Sequence, residues 1–208
     1  MSDKGMSAFK KNLWITLPAL LIALLPEAAW AHTEEDGAGL VSGLLHPILG
    51  YDHLLAMLSV GIVSAQLGGR QIWAVPTFFV LSMLAGGIIG FNQIELTHVE
   101  LGIALSVLVL GLAILAVHYR LQGRYGVYLI MAMVIYFGIM HGHAHGMEMP
   151  NSASPVFYSL GFILSTSSIH LVGVAIGHTF THTASFRRAT SLIGTAMTLA
   201  GCFILYGV

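Results

Sequence analysis

The chain has 208 residues, of which 56% are hydrophobic and only 8% are charged. A soluble domain carries about 25% charged residues, so this composition excludes a disordered or charge-tailed protein and leaves a polytopic membrane protein. The net charge of -1 offers no basic surface for nucleic acid, and the single cysteine, Cys202, excludes a disulfide scaffold. Eleven histidines are many for a chain with so few charges.

The N-terminal segment has the three parts of a secretory signal peptide. Three lysines precede an apolar stretch from residue 13 to residue 25, and an Ala-Trp-Ala cleavage pattern ends at Ala31. A stretch of about 13 apolar residues is short for a membrane span and typical of a signal peptide. We therefore predict that residues 1–31 are removed and that His32 begins the mature chain outside the cytoplasm. The alternative is an uncleaved first helix.

The rest of the chain contains six hydrophobic segments of about the length that a bilayer requires. Because short loops join them, residues 32–208 are predicted to form one all-α polytopic membrane domain, a bundle of six transmembrane helices without a separate soluble domain. The predicted spans are residues 42–66, 72–90, 99–117, 126–146, 155–177 and 189–206.

The basic residues predict the orientation of this bundle. All arginines fall in the loops after the first, third and fifth spans, and the mature chain has no lysine. The positive-inside rule then places these loops in the cytoplasm and the mature N-terminus on the other side of the membrane. We expect this membrane to be the inner (plasma) membrane of a bacterium, with the mature N-terminus in the periplasm. Most acidic residues fall on the opposite side. They either mark topology alone or concentrate cations through a negative field.

Only one acidic residue lies deep within a predicted span. Asp52 shares the first span with His46 and His53, and a carboxylate near the centre of a membrane helix costs about 3 kcal/mol. In a regular helix Asp52 points roughly 120° away from His46, unless Pro47 or Gly50 unwinds the turn. Imidazole is a common metal ligand, and an aspartate binds the metal or orients a histidine. Asp52 and the two histidines therefore predict a metal site. The alternative is an Asp–His hydrogen bond that only holds two helices together.

A second group of ligand-type residues lies at the outer end of the fourth span. In a continuing helix His141, His145 and Glu148 share one face, whereas His143 points to the other side. A histidine pair spaced i, i+4 beside a carboxylate has metal-site geometry, and such ligands suit divalent nickel, cobalt and zinc.

Counting residues from the outer ends of the two spans places the two groups at similar depth. Successive ligand sets of this kind are what conduction requires, because each set must bind the ion and release it to the next. The count predicts two tiers at different depths. The outer tier is His46, His145 and Glu148, and the inner tier is Asp52, His53 and His141.

These two motifs resemble a known family. His46-x5-Asp52-His53 is similar to the first-helix signature of the HupE/UreJ nickel/cobalt permeases, and the run from His141 to Glu148 is similar to the fourth-helix signature F-H-G-x-[AV]-H-G-x-E. Met140 stands where that signature has Phe. The resemblance covers essentially the whole mature chain. It implies uptake of nickel or cobalt, which often supplies hydrogenase, urease or cobalamin pathways. It also implies that transport depends on His46, Asp52, His53, His141, His145 and Glu148.

Two further histidines are candidates for the metal path. His32, exposed by cleavage, would chelate an ion through its α-amine and imidazole; the alternative is a polar tail without a role. His170 shares one face of the fifth span with Gly173 and Gly177 and would line the path at greater depth. The alternative for this face is close helix packing on the two glycines.

The sequence therefore predicts a secondary transporter, not an enzyme, with nickel or cobalt as its substrate and no permanent cofactor. The expected partners are the metal ion and the lipid bilayer, with a homo-oligomer and downstream metallochaperones as further candidates and no nucleic acid. No nucleotide-binding motif is present, so ATP drive within this chain is not expected. The alternatives are an intramembrane zinc hydrolase that activates water with the same residues, and a di-haem protein with histidine axial ligands.

Overall fold

A computed structural model of the protein describes residues 35–117, 121, 123–179 and 184–208. The predicted signal peptide and His32 lie outside these residues. The described part contains seven α-helices and no strand. In chain order, the helices are α1 Glu35–Leu49, α2 Tyr51–Leu67, α3 Gln71–Phe91, α4 Val99–Ala116, α5 Arg124–Met147, α6 Pro155–Thr179 and α7 Ala184–Gly207.

The lengths and composition of these helices confirm the predicted all-α membrane fold. Helices α3 to α7 each contain a segment long and apolar enough to cross a membrane, and α1 together with α2 would make a sixth span. Every predicted span overlaps one of these six. The last five run as single helices, whereas the first is broken.

The break in the first span lies at Gly50, where α1 and α2 meet at an angle of 78°. Gly50 has an extended backbone with φ -77° and ψ 102°, and Pro47 lies within the last turn of α1. The backbone groups of Gly50 stay satisfied, since its N–H donates to the carbonyl of His46 and its carbonyl accepts from Leu54. The sequence left open whether Pro47 or Gly50 unwinds this turn; the chain turns sharply at Gly50.

Glycines allow the backbones of α3 and α5 to approach closely. A methyl group on Gly142 would collide with the carbonyl oxygen of Met83, and one on Gly146 with that of Gly87. Small residues at helix contacts are the usual means of close packing within membranes, where apolar surface gives no preference for helix over lipid. The fourth-span motif therefore lies tightly against α3.

Helix α6 packs against both halves of the broken first span. Gly43 of α1 lies against the backbone at Tyr158, while Gly61 of α2 lies against the carbonyl oxygen of His170. A side chain at either glycine would collide with the backbone of α6. The bend at Gly50 is thus held by one continuous helix that both α1 and α2 contact.

The two ends of the bundle carry opposite charge. Arg70, at the start of α3, and Arg124, at the start of α5, lie at one end, which we call the arginine end. Glu100, in the first turn of α4, and Glu148, after the last residue of α5, lie at the other, which we call the acidic end. This separation follows from the alternating direction of successive spans.

Candidate metal site

Three histidines from three helices meet near the acidic end. His46 of α1, His53 of α2 and His145 of α5 each offer one ring nitrogen, and these nitrogens lie within 4.8 Å of one another. We call this group the histidine cluster. A metal–nitrogen bond is about 2.1 Å, so nitrogens that share an ion are at most about 4.2 Å apart. The cluster is therefore slightly wider than a loaded site, and small side-chain shifts would bring all three nitrogens onto one ion.

The bend at Gly50 is what brings His46 and His53 together. In a straight helix their positions would be about 10.5 Å apart along the axis, whereas their ring centroids are only 5.8 Å apart. The ring of His145 contacts both, at 4.7 Å from His46 and 4.9 Å from His53. The prediction of two tiers at separate depths is therefore wrong, because it assumed a straight first span. The residues of both tiers form one continuous group.

Asp52 fixes the ring of His53. Its Oδ1 accepts hydrogen bonds from the backbone N–H of His53 at 2.7 Å and from Nδ1 of the same ring at 2.8 Å. Because an ionised carboxylate only accepts, Nδ1 carries the proton and Nε2 keeps its lone pair. That Nε2 is buried and has no hydrogen-bond partner among the described residues. Asp52 thus leaves one nitrogen of His53 free for an ion.

The break in the first span also explains how an acid is tolerated at Asp52. The residue lies in the first turn of α2, where backbone N–H groups and the helix dipole favour negative charge. A side chain added at Gly50 would lie 3.2 Å from Oδ1 of Asp52 and from Nδ1 of His53. The bent turn therefore stabilises the carboxylate and leaves room for its bond to the histidine.

A serine sets the tautomer of His141, whose ring lies 4.5 Å from that of His53. The hydroxyl of Ser106 donates to the carbonyl of Ile103 at 2.6 Å, and its oxygen lies 2.9 Å from Nε2 of His141. Because the single hydroxyl proton goes to the carbonyl, Nε2 of His141 must donate. Nδ1 then keeps a lone pair, and this buried atom has no hydrogen-bond partner in the described part of the chain.

Glu148 lies beside the histidine cluster at the acidic end. Nε2 of His46 donates a hydrogen bond to Oε2 of Glu148 over 3.0 Å, and the glutamate side chain is half exposed. This hydrogen bond lowers the pKa of the Glu148 carboxyl below its ordinary value, against the opposing effect of its partial burial. The site therefore presents an ionised carboxylate at its opening, which attracts cations and holds one ring of the cluster.

Comparison with known proteins identifies the family. The model of the HupE / UreJ protein family matches residues 20–204 of the chain. The chain belongs to the HupE/UreJ family. Protein HupE of Rhizobium leguminosarum bv. viciae is 36% identical over 197 residues, which cover 92% of this chain and 96% of the relative. No solved structure matches the chain.

The HupE/UreJ motif on α5 has two faces with different tasks. Gly142 and Gly146 pack on α3, while His141 and His145 point towards α2, so the alternation of glycine and histidine follows from the two contacts. His143 lies on another side, where its Nε2 donates to the carbonyl of Ile94 at 2.8 Å.

The position at which the chain departs from the HupE/UreJ signature is a packing position. Met140 lies against Gly102 of α4, where a side chain on the glycine would contact its Cγ. It belongs to the contact between α4 and α5.

His170 lies outside the histidine cluster. It is buried on α6, and neither ring nitrogen has a hydrogen-bond partner within the described ranges. Its ring contacts that of Phe79 at 5.2 Å, and it borders a cavity of about 330 Å³ between α3 and α6. This cavity opens to the outside of the bundle, where its lining residues Trp73 and Leu81 are exposed. The candidate of the fifth span is thus a buried imidazole whose two ring nitrogens have no partner in the described part of the chain.

The sequence missed Ser106. A serine in an apolar span is common and often bonds to its own helix, so its spacing gives no sign of a role beside a histidine. Only its position opposite His141, on a different helix, reveals the contact.

Proposed function

We propose that the protein is a secondary transporter that takes up a divalent transition metal, nickel or cobalt, from the periplasm into the cytoplasm. One observation carries the proposal: three imidazoles from three helices converge within the bundle with nitrogen atoms that have room for a shared ion. The family supports it, since HupE/UreJ proteins are membrane transporter or accessory proteins associated with nickel and cobalt uptake for hydrogenase and urease.

The ligand set suits these ions. Imidazole nitrogen with carboxylate oxygen favours borderline divalent metals such as nickel and cobalt. The ion enters beside Glu148, exchanges part of its water for the histidine cluster, and leaves inward by way of His141. His53 adjoins both His145 and His141, so an ion can exchange one ring for the next while His53 stays bound. Such stepwise exchange lets a site bind an ion without trapping it.

The proposed direction follows from charge. The arginine end faces the cytoplasm of a bacterial inner membrane by the positive-inside rule, and the acidic end then faces the periplasm. The ion is substrate, so no permanent cofactor is required. The lipid bilayer is a partner, and cytoplasmic metallochaperones or a second copy of the chain are further candidate partners.

Uptake of radiolabelled nickel and cobalt by cells tests this function. We expect His53→Ala to abolish uptake above background, because it removes the imidazole shared between the cluster and His141. Asp52→Asn should raise the half-saturating concentration about 10–100-fold, the usual effect of losing a group that orients a metal ligand. Immunoblots of the membrane fraction establish equal amounts of protein.

His143→Gln is the matched control for the uptake experiment. It replaces a buried histidine of the same motif and keeps an N–H donor for the carbonyl of Ile94, so uptake should persist. Wild-type uptake by both His53→Ala and Asp52→Asn would contradict the assignment of the site. The zinc-hydrolase alternative predicts instead that the purified protein retains a stoichiometric zinc ion and shows hydrolytic turnover.

A further inference from the structure

The ring of Phe79 contacts two buried histidines. Phe79 is fully buried on α3, and its ring centroid is 5.6 Å from that of His141 and 5.2 Å from that of His170. The ring meets His170 edge-on at 84°. One apolar side chain therefore contacts both the inner edge of the candidate site and the next imidazole along the bundle.

Two methionines and a threonine extend this apolar layer. Met57 and Met83 are fully buried, and the hydroxyl of Thr166 lies 3.3 Å from the sulfur of Met57 and 3.7 Å from that of Met83. Met57 follows His53 by one helical turn, and Thr166 precedes His170 by one turn. The hydroxyl of the threonine faces the two thioether sulfurs, and thioethers are weak ligands for a hydrated divalent ion. The layer therefore offers such an ion little to bind.

Such a layer is a barrier to both water and ions. A narrow apolar constriction in a membrane protein excludes water, and a partly hydrated ion cannot pass it until the constriction widens. His170 has no hydrogen-bond partner at either ring nitrogen among the residues that the structure describes, and it borders the cavity of about 330 Å³. Phe79 therefore contacts one ligand group at the candidate site and another on α6.

A cavity beside α3 provides space into which the ring of Phe79 can move. Pro76 and Val80 of α3 line the same cavity as His170, so the space lies next to the turn that carries the ring. Pro76 lies inside α3 and has no N–H to donate, which removes one helical hydrogen bond just before Phe79 and makes the turn easier to deform.

We propose that Phe79 is the gate of the path, closed in this structure, and that its ring must swing towards the α3–α6 cavity before an ion reaches His170. This proposal rests on the proposed transport function, because that function supplies the ion that would pass Phe79. Its direct consequence, the access of a solute from the acidic end to position 170, does not depend on the identity of the ion.

Thiol labelling measures this access. In a Cys202→Ser background, which removes the single cysteine, His170→Cys places a thiol behind the gate. Glu95→Cys in the same background places a thiol in an exposed loop at the acidic end. Its labelling, after reconstitution under the same conditions, gives the fraction of protein whose acidic end faces outward. A small charged methanethiosulfonate is added to those vesicles. Phe79→Ala should raise the labelling rate at position 170 about tenfold, which corresponds to about 1.4 kcal/mol in the opening equilibrium.

Two further variants keep the experiment decisive. Phe137→Ala removes another buried phenylalanine and should leave the labelling rate at position 170 unchanged. Phe79→Leu keeps most of the apolar volume and should give a smaller increase; it decides the outcome if Phe79→Ala does not fold. The gate is refuted if folded Phe79 variants label no faster than the parent, or if Phe137→Ala accelerates labelling equally.

The labelling rate with Phe79 intact gives an independent check of the gate. If the parent thiol at position 170 reacts from the acidic end as fast as the one at position 95, the structure is not closed there and the proposal fails. Loss of the transport function would appear elsewhere, as wild-type cells that take up neither nickel nor cobalt, and would leave the labelling result intact.

Discussion

Hydrogen bonds outside the histidine cluster decide which ring nitrogens can bind an ion. Asp52 holds the proton of His53 on Nδ1, and Ser106 holds the proton of His141 on Nε2. Each bond leaves the opposite nitrogen with a lone pair and no partner among the described residues. The affinity of the site for metal therefore depends on two side chains that need not touch the ion.

Protons should compete with the metal ion for these nitrogens. An imidazole must be neutral to bind a metal, so we expect nickel uptake to fall as the pH is lowered. The bond from His46 lowers the pKa of Glu148. A carboxylate of this kind keeps its charge, and its contribution to stability, until the pH falls through its lowered pKa. Its protonation therefore follows that of an ordinary histidine as the pH falls.

Proteoliposomes measured between about pH 5 and pH 8 would show this dependence. Glu148→Gln should reduce uptake across the whole range, because the opening loses its negative charge and His46 is left with a weaker, neutral acceptor. Glu95→Gln removes a charge from an exposed loop of the same end and should leave the profile unchanged. A flat profile in the wild-type protein would contradict the expected competition between protons and the metal ion.

At the scale of helices, packing on glycine sets the positions of the ligands. Gly142 and Gly146 seat α5 on α3 and thereby turn His141 and His145 towards α2. On the other side, α6 holds both halves of the broken span, so the bend at Gly50 is a consequence of packing as well as of local backbone preference. The ligand geometry is thus a property of helix contacts.

Gly142→Ala tests this dependence. The added methyl group collides with the carbonyl oxygen of Met83, so α3 and α5 must separate, at a cost of about 1–3 kcal/mol. We expect a lower melting temperature in detergent and weaker nickel binding. Gly123→Ala is the matched control, because a methyl group there meets nothing within 4 Å. A melting temperature equal to that of the wild type would contradict the proposed role of the close contact.

The sequence predicted the helices better than it predicted the bend. Long apolar runs locate the spans almost regardless of packing, since each must cross the bilayer with its backbone bonds satisfied internally. Pro47 and Gly50 are compatible with a straight or a broken first span, and the contact of α6 with Gly43 and Gly61 selects the broken form. That long-range contact has no signature in the first span itself.

At the scale of the whole molecule, charge and polarity form a gradient along the bundle. Acidic side chains lie at one end, the histidine cluster lies inside it, the apolar layer around Phe79 follows, and arginines lie at the other end. Ionisable groups are costly within a membrane, so residue type and spacing single out the histidines and acids of the first and fourth spans as candidates, but the grouping of their side chains depends on the bend. Ser106 and Phe79 are ordinary residues of membrane helices, and only their contacts across helices distinguish them.

Cobalt binding to the purified protein is the most direct test of the central claim that His46, His53 and His145 share one divalent ion. The visible absorption of bound Co²⁺ reports its ligands and can be followed during titration. We predict that the wild-type protein and His143→Gln bind a single cobalt ion per chain with bands of nitrogen-rich coordination, and that His53→Ala loses these bands. Identical spectra and affinities for the wild type and His53→Ala would contradict the account.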